Sequence, residues 1–128
     1  MSFALLLILG HLVGDYIFQN SWMASTKGEK SLNGWFAAII HSLLYTGSVC
    51  LLMWNWDWRW VIVVFLSHVF IDHYSTATWW LKNIKGMNKP RECTDPNYTS
   101  LYWIVYVVVD NTFHLLLMFG AYALLYIV

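Results

Sequence analysis

The sequence predicts an all-α, polytopic membrane protein: an antiparallel four-helix transmembrane bundle with both termini on the non-cytoplasmic side. Three observations predict it. Hydrophobic residues make up 59% of the 128 residues and charged residues only 11%, whereas a soluble domain carries roughly a quarter charged residues. Four long apolar segments take up nearly the whole length. Lysine and arginine fall almost wholly into two of the three connections.

The hydrocarbon core of a bilayer needs about 20 apolar residues per helix. The first span is expected over about 3–24. Its Gly10 and Gly14 form a G-x-x-x-G step that permits close helix approach. It lacks the basic n-region and small-residue cleavage site of a signal peptide, so it is expected to be retained. Residues 25–31, Ser-Thr-Lys-Gly-Glu-Lys-Ser, form a polar turn. The second span runs over 32–54, and Asn55-Trp56-Asp57-Trp58 turns the chain into the third, 59–81. The long loop 82–100 holds the breakers Gly86, Pro90 and Pro96. Its Thr-Asp-Pro and Asn-Tyr-Thr-Ser stretches are placed to cap the fourth span, 101–128. Residues 1–128 are thus read as one four-span domain with no room for a second, soluble one.

Lys27, Lys30, Lys82, Lys85, Lys89 and Arg91 lie in the first and third connections, against Arg59 alone beside the second. The positive-inside rule makes the first two cytoplasmic. Nine tryptophans gather near the span ends, as an interfacial belt requires. The net charge of zero gives no basic surface for nucleic acid. Cys50 and Cys93 make neither a zinc-ribbon spacing nor a disulfide framework.

The informative residues are polar ones inside the spans. They are His11 and Asp15 in the first, His41 in the second, His68, Asp72 and His73 in the third, and Asp110 and His114 in the fourth. Three spans show an i, i+4 His/Asp pair, which puts both side chains on one helix face. The order is reversed in span four, as an antiparallel helix needs to hold Asp and His at matching heights. Counted from the expected cytoplasmic ends, Asp15, His41, Asp72 and Asp110 lie nine residues in, and His11, His68 and His114 thirteen. At 1.5 Å per residue the two layers are roughly 6 Å apart.

Hydrogen-bonded helix packing is the plain alternative for such residues. Three carboxylates at one depth would repel, however, and no lysine or arginine is expected within the membrane to balance them. A divalent cation would do so, and inward carboxylates and histidines follow the logic of di-metal helical bundles. His11, Asp15, His41, His68, Asp72, Asp110 and His114 are therefore the expected metal ligands. Seven N/O ligands suit two ions, or one ion with outer partners. The absence of sulfur disfavours copper or iron–sulfur; zinc comes first, with manganese and iron open. His73, about 100° around the helix from Asp72, ranks lower. Gln19 and Tyr45 are expected to pack or to support the ligands.

The opening G-H-L-V-G-D-Y-I-F-Q-N-S-W-M-A-S-T-K, residues 10–27, resembles the signature of a small uncharacterised membrane-protein family of bacteria and bacteriophages. The later S-H-V-F-I-D-H-Y, residues 67–74, resembles the S-H-x-x-x-D motif of inner-membrane-associated metal-dependent hydrolases. That group is linked to helical zinc-dependent phospholipases C. The resemblance implies a bacterial inner-membrane or phage-encoded protein that hydrolyses a lipid phosphoester with metal.

The leading expectation is accordingly a membrane-embedded metal-dependent hydrolase. Asp15, Asp72 or Asp110 would act as general base where it is not a ligand, and an amphiphilic, phosphate-containing substrate would come sideways from the membrane lipid. Lys27, Lys30, Lys89 and Arg91 stand where they would attract a phosphate, although topology alone accounts for most of them. Proton or metal-ion transport is a second class. It would need more spans, such as a homo-oligomer supplies, and no Gly/Pro-broken helix near the ligands speaks for it. A third is a non-catalytic, metal-stabilised protein that acts on a membrane partner.

Overall fold

A computed structural model of the chain describes residues 2–91 and 95–127. Cys93 and Thr94, and with Thr94 the start of the expected capping stretch, lie outside them. The described residues are helical, with no strand among them.

Helix α1, Phe3–Leu12, starts where Ser2 Oγ accepts the Leu5 N–H at 3.4 Å. It runs into a π-helical turn, Val13–Ile17, closed by Phe18 N–H donating to the Val13 carbonyl at 3.1 Å. The chain then breaks. Asn20 caps the short helix α2, Ser21–Thr26, its side-chain oxygen accepting the Met23 N–H at 2.9 Å. Helix α3, Leu32–Met53, is capped by Ser31 and ends at Trp54 in a left-handed conformation (φ 50°). Helix α4, Trp58–His73, and helix α5, Thr76–Asn83, meet at a 50° bend. Ser75 sits in the bend with φ 49°. Helix α6, Pro96–Tyr126, is capped by Asp95, with Pro96 in the first turn where its missing N–H costs nothing.

Two helices, α3 and α6, are long and apolar enough to cross a membrane, and α4 with α5 makes a third if the bent pair is one span. The expected continuous first span over 3–24 is corrected: the apolar helix covers Phe3–Ile17 and is short. The reason is local. Asn20 offers its side chain to a backbone N–H, and such a residue favours a helix start over a helix interior. The third span is likewise bent, and α6 begins five residues earlier than expected, at Pro96.

Helix α3 is the scaffold: α1, the π turn, α2 and α4 all pack against it. Helix α6 packs on α4 and α5 and reaches α1, so contacts run from α1 through α3, α4 and α6 back to α1. The G-x-x-x-G step lets α1 lie close on α3. A Cβ on Gly10 would come within 2.9 Å of Val49 Cα, and one on Gly14 within 2.7 Å of the Tyr45 ring. Leu7, Tyr45, Val49, Cys50, Trp60, Val64 and Met118 form a buried apolar cluster. Outside, large apolar side chains are bare: Leu32 is 90% exposed and Leu124 74%. Buried histidines and aspartates under an apolar exterior invert the pattern of a water-soluble domain.

Candidate metal centre

Each wall of the ring contributes to one polar cluster. Asp15 comes from the π turn, His41 from mid-α3, His68 and Asp72 from one face of α4, and His114 and Asp110 from α6. Asp15 Oδ1 lies 3.2 Å from His41 Nε2 and 3.4 Å from His68 Nε2. Asp72 Oδ2 lies 3.3 Å from the same His41 atom and 3.1 Å from the same His68 atom. Carboxylate oxygen and imidazole nitrogen thus alternate around a closed ring. His114 Nε2 approaches from α6, 3.4 Å from Asp72 Oδ1.

The residues fit a metal ion. Asp15 Oδ1 and the Nε2 atoms of His41, His68 and His114 are all buried without a hydrogen-bond partner. Buried atoms brought this close without the geometry of a hydrogen bond recover little of the hydration they lose, which an interior rarely tolerates. Ligand atoms bonded to one ion at about 2.0–2.2 Å lie about 3–3.5 Å apart, the spacing seen here. Two groups, Asp15–His41–His68 and His68–Asp72–His114, are compact enough to hold an ion, and they share His68.

The other expected ligands are placed differently. His11 Nε2 is 2.6 Å from Asn111 Oδ1, while the Asn111 amide donates to the Val107 carbonyl and the Tyr16 hydroxyl, each at 2.6 Å. The oxygen of Asn111 must therefore accept, so His11 Nε2 carries its proton and faces away from the cluster. His11 Nδ1, left as the acceptor, lies 2.9 Å from Tyr45 Oη, with Asp15 Oδ2 3.3 Å away. Asp110 is 3.9 Å from His114 and lines the cavity at the edge of the cluster. Tyr45 stacks on His68 at 3.6 Å, a supporting contact. His73 turns aside, its Nδ1 donating to the Lys27 carbonyl at 3.0 Å and its ring 3.7 Å from that of Trp35.

One expectation is overturned. A basic residue does reach the carboxylates: Lys27 Nζ donates to Asp72 Oδ2 at 2.7 Å and to Gln19 Oε1 at 2.6 Å. The short helix α2 and the loop after it turn Lys27 back toward the cluster. A cavity of about 480 Å³ opens at this side, lined among others by Asp15, Lys27, Asp72 and Asp110. Asn111 and Tyr16 are site residues that the sequence reading passed over. An asparagine in the apolar run of α6, beside Asp110, was the available signal.

These features define the class: an all-helical, strongly apolar chain with two helices fit to span a membrane and buried His/Asp groups that could hold a metal ion. The chain belongs to the family described as proteins of unknown function, DUF3307, matched over residues 3–128. No curated protein and no solved structure matches it.

Proposed function

We propose that the protein is a membrane-embedded metal-dependent hydrolase acting on a phospholipid or other lipid phosphoester. It would sit in the bacterial inner membrane as a four-span bundle, termini outside. The observation that carries this reading is the meeting of four buried atoms without a hydrogen-bond partner: Asp15 Oδ1 with the Nε2 atoms of His41 and His68 in one group, and His114 Nε2 beside Asp72 in the group that shares His68. Zinc is the first choice for this donor set, with manganese or iron as alternatives. One ion is favoured over two by charge. With neutral histidines, three carboxylates against Lys27 and one dication sum to zero, and net charge at this depth is costly.

When bound, the ion supplies a Lewis acid for a phosphoryl oxygen and lowers the pKa of water at its open position. Asp15, His41, His68, Asp72 and His114 would hold it. Asp110, at the cavity edge, is the carboxylate best placed to take a proton as general base. Its transport rival draws on the π turn and the α4–α5 bend, breaks beside the ligands of the kind carriers use. Against it, the cavity is lined from the basic-loop side, and the buried cluster around Leu7, Val49, Val64 and Met118 fills the space beyond the histidines.

The test is elemental analysis of detergent-purified protein, followed by phosphate or headgroup release from phospholipid micelles. We expect about one ion per chain, and chelator should abolish hydrolysis. Asp110→Asn should keep the metal and lose roughly 10²–10⁴ in rate. Protein that purifies metal-free and melts the same with chelator would remove both the metal and the hydrolase readings. Metal without hydrolysis of any phospholipid would leave a metal-stabilised membrane protein.

A further inference from the structure

The cavity beside the metal centre has a mixed lining. Gln19, Ser25 and Lys27, with Asp15, Glu29, Asp72 and Asp110, make part of its lining polar and charged, and Tyr16, Trp103, Tyr106 and Val107 make part aromatic and apolar. Two cations from separate segments line it. Lys27 arrives from the end of α2, and Lys89 lies in the loop before α6 with its Nζ 5.8 Å from the centre of the Trp103 ring. A group held by Lys27 lies next to the cluster, because the Lys27 ammonium already touches Asp72.

The side wall has a seam. Neither the π turn nor α2 packs its backbone against α6, although both flank the cavity with it. Side chains bridge the gap instead: the Asn111 amide donates to the Tyr16 hydroxyl at 2.6 Å. On the outer rim the residues are apolar and bare, Ile17 at 71% and Val108 at 60% exposure. A membrane-spanning reading puts this rim in lipid, so the seam joins the bilayer to a cavity where two lysines and four carboxylates meet aromatic and apolar side chains.

We infer that the seam between the π turn and α6 is a lateral portal for a lipid with an anionic phosphate headgroup, whose phosphate is taken by Lys27 and Lys89 and whose chain lies along Tyr16, Tyr106 and Val107. The inference rests on the hydrolase reading for the fate of the lipid, but not for its binding. The amphipathic lining selects an amphiphile over a free anion, and an anionic headgroup, unlike a zwitterionic one, brings no cation of its own to lie beside the two lysines. The Tyr16–Asn111 bridge is a single hydrogen bond between partly exposed side chains, so parting it costs little.

The experiment uses the full-length protein in phosphatidylcholine nanodiscs containing a trace of photoactivatable lipid with a diazirine in its acyl chain. Its headgroup is either phosphatidic acid or phosphatidylcholine, and adducts are mapped by mass spectrometry. With phosphatidic acid, adducts should concentrate on Tyr16 and on residues 103–107, and excess inorganic phosphate should leave them in place. Lys27→Met should lower them about tenfold, the effect of one charge-assisted hydrogen bond. Lys27→Arg should restore them, which separates loss of charge from loss of fold. Val107→Trp, placed in the portal, should remove them while metal content stays at the wild-type level. Equal labelling by the two headgroups, or adducts spread over the outer face of α6, would overturn the portal. Displacement by inorganic phosphate would make the site one for free anion and overturn the lipid assignment. Labelling as expected in metal-free protein would leave the portal standing and the hydrolase reading fallen; metal without such labelling would do the reverse.

Discussion

A carboxylate as deeply buried as Asp72 needs a positive partner, and before any metal binds that partner is Lys27, 2.7 Å away. Removing one member of a buried pair leaves an uncompensated charge at a cost of about 3–5 kcal/mol. Lys27→Met is therefore expected to lower the melting temperature of chelator-treated protein sharply, and much less once metal is restored. Asn111 acts at one remove. It holds His11, His11 Nδ1 meets the Tyr45 hydroxyl, and the Tyr45 ring stacks on His68. Asn111→Leu is expected to weaken metal binding about 10–100-fold in chelator competition, the usual effect of losing such an outer partner. The histidines and aspartates could be read from the sequence because each is expensive in an apolar span and calls for an explanation. Lys27 could not. Its neighbours read as a polar turn, and only the three-dimensional path of α2 shows that the turn folds inward. Asn111 was hidden differently: an uncharged amide costs less to bury, and the adjacent Asp110 drew the attention.

At the scale of elements, helix α3 matched its expected boundaries to a residue, because Ser31 is an unambiguous cap and the apolar run beyond it is unbroken. The first and third spans did not. Neither break carries proline, and only the first carries a glycine, Gly14, which already has a use in the close contact with α3. One is a π turn ended by the Asn20 cap, and the other a bend through Ser75 in a left-handed conformation. Both lie beside ligands, Asp15 within the π turn and Asp72 just before the bend. The G-x-x-x-G step was legible, since small residues four apart have one common use in apolar helices. Gly14→Ala is expected to destabilise by about 1–3 kcal/mol, the range for overpacking a filled contact, measured by thermal melting in detergent. The added methyl meets the Tyr45 ring, which stacks on His68, so metal affinity should fall with it. A Gly47→Ala control meets nothing within 4 Å and should melt as wild type.

For the whole molecule, the lysine and arginine distribution predicts orientation. In a Cys93→Ser background, Ser2→Cys should react with an impermeant thiol reagent in intact cells, and Lys30→Cys should stay protected until the membrane is opened. The reverse pattern would place the polar cavity on the outer leaflet. The helices also differ greatly in length. The apolar helix Phe3–Ile17 is about 22 Å long at 1.5 Å per residue, while α6, with 31 residues, is about 46 Å. The hydrocarbon core that the proposed four-span bundle would have them share is about 30 Å thick. A bilayer next to the short helix must thin to keep its acyl chains against apolar surface, while the long one tilts or projects. The short helix is the one that continues into the π turn at the seam. Under the proposed membrane bundle, lipid there would be drawn below its ordinary level, its phosphate lowered toward the depth of Asp15 before it leaves the leaflet. Thickness then becomes a variable of function: in vesicles of progressively longer acyl chains the deformation grows more costly, and labelling of the cavity by lipid should fall as the bilayer thickens.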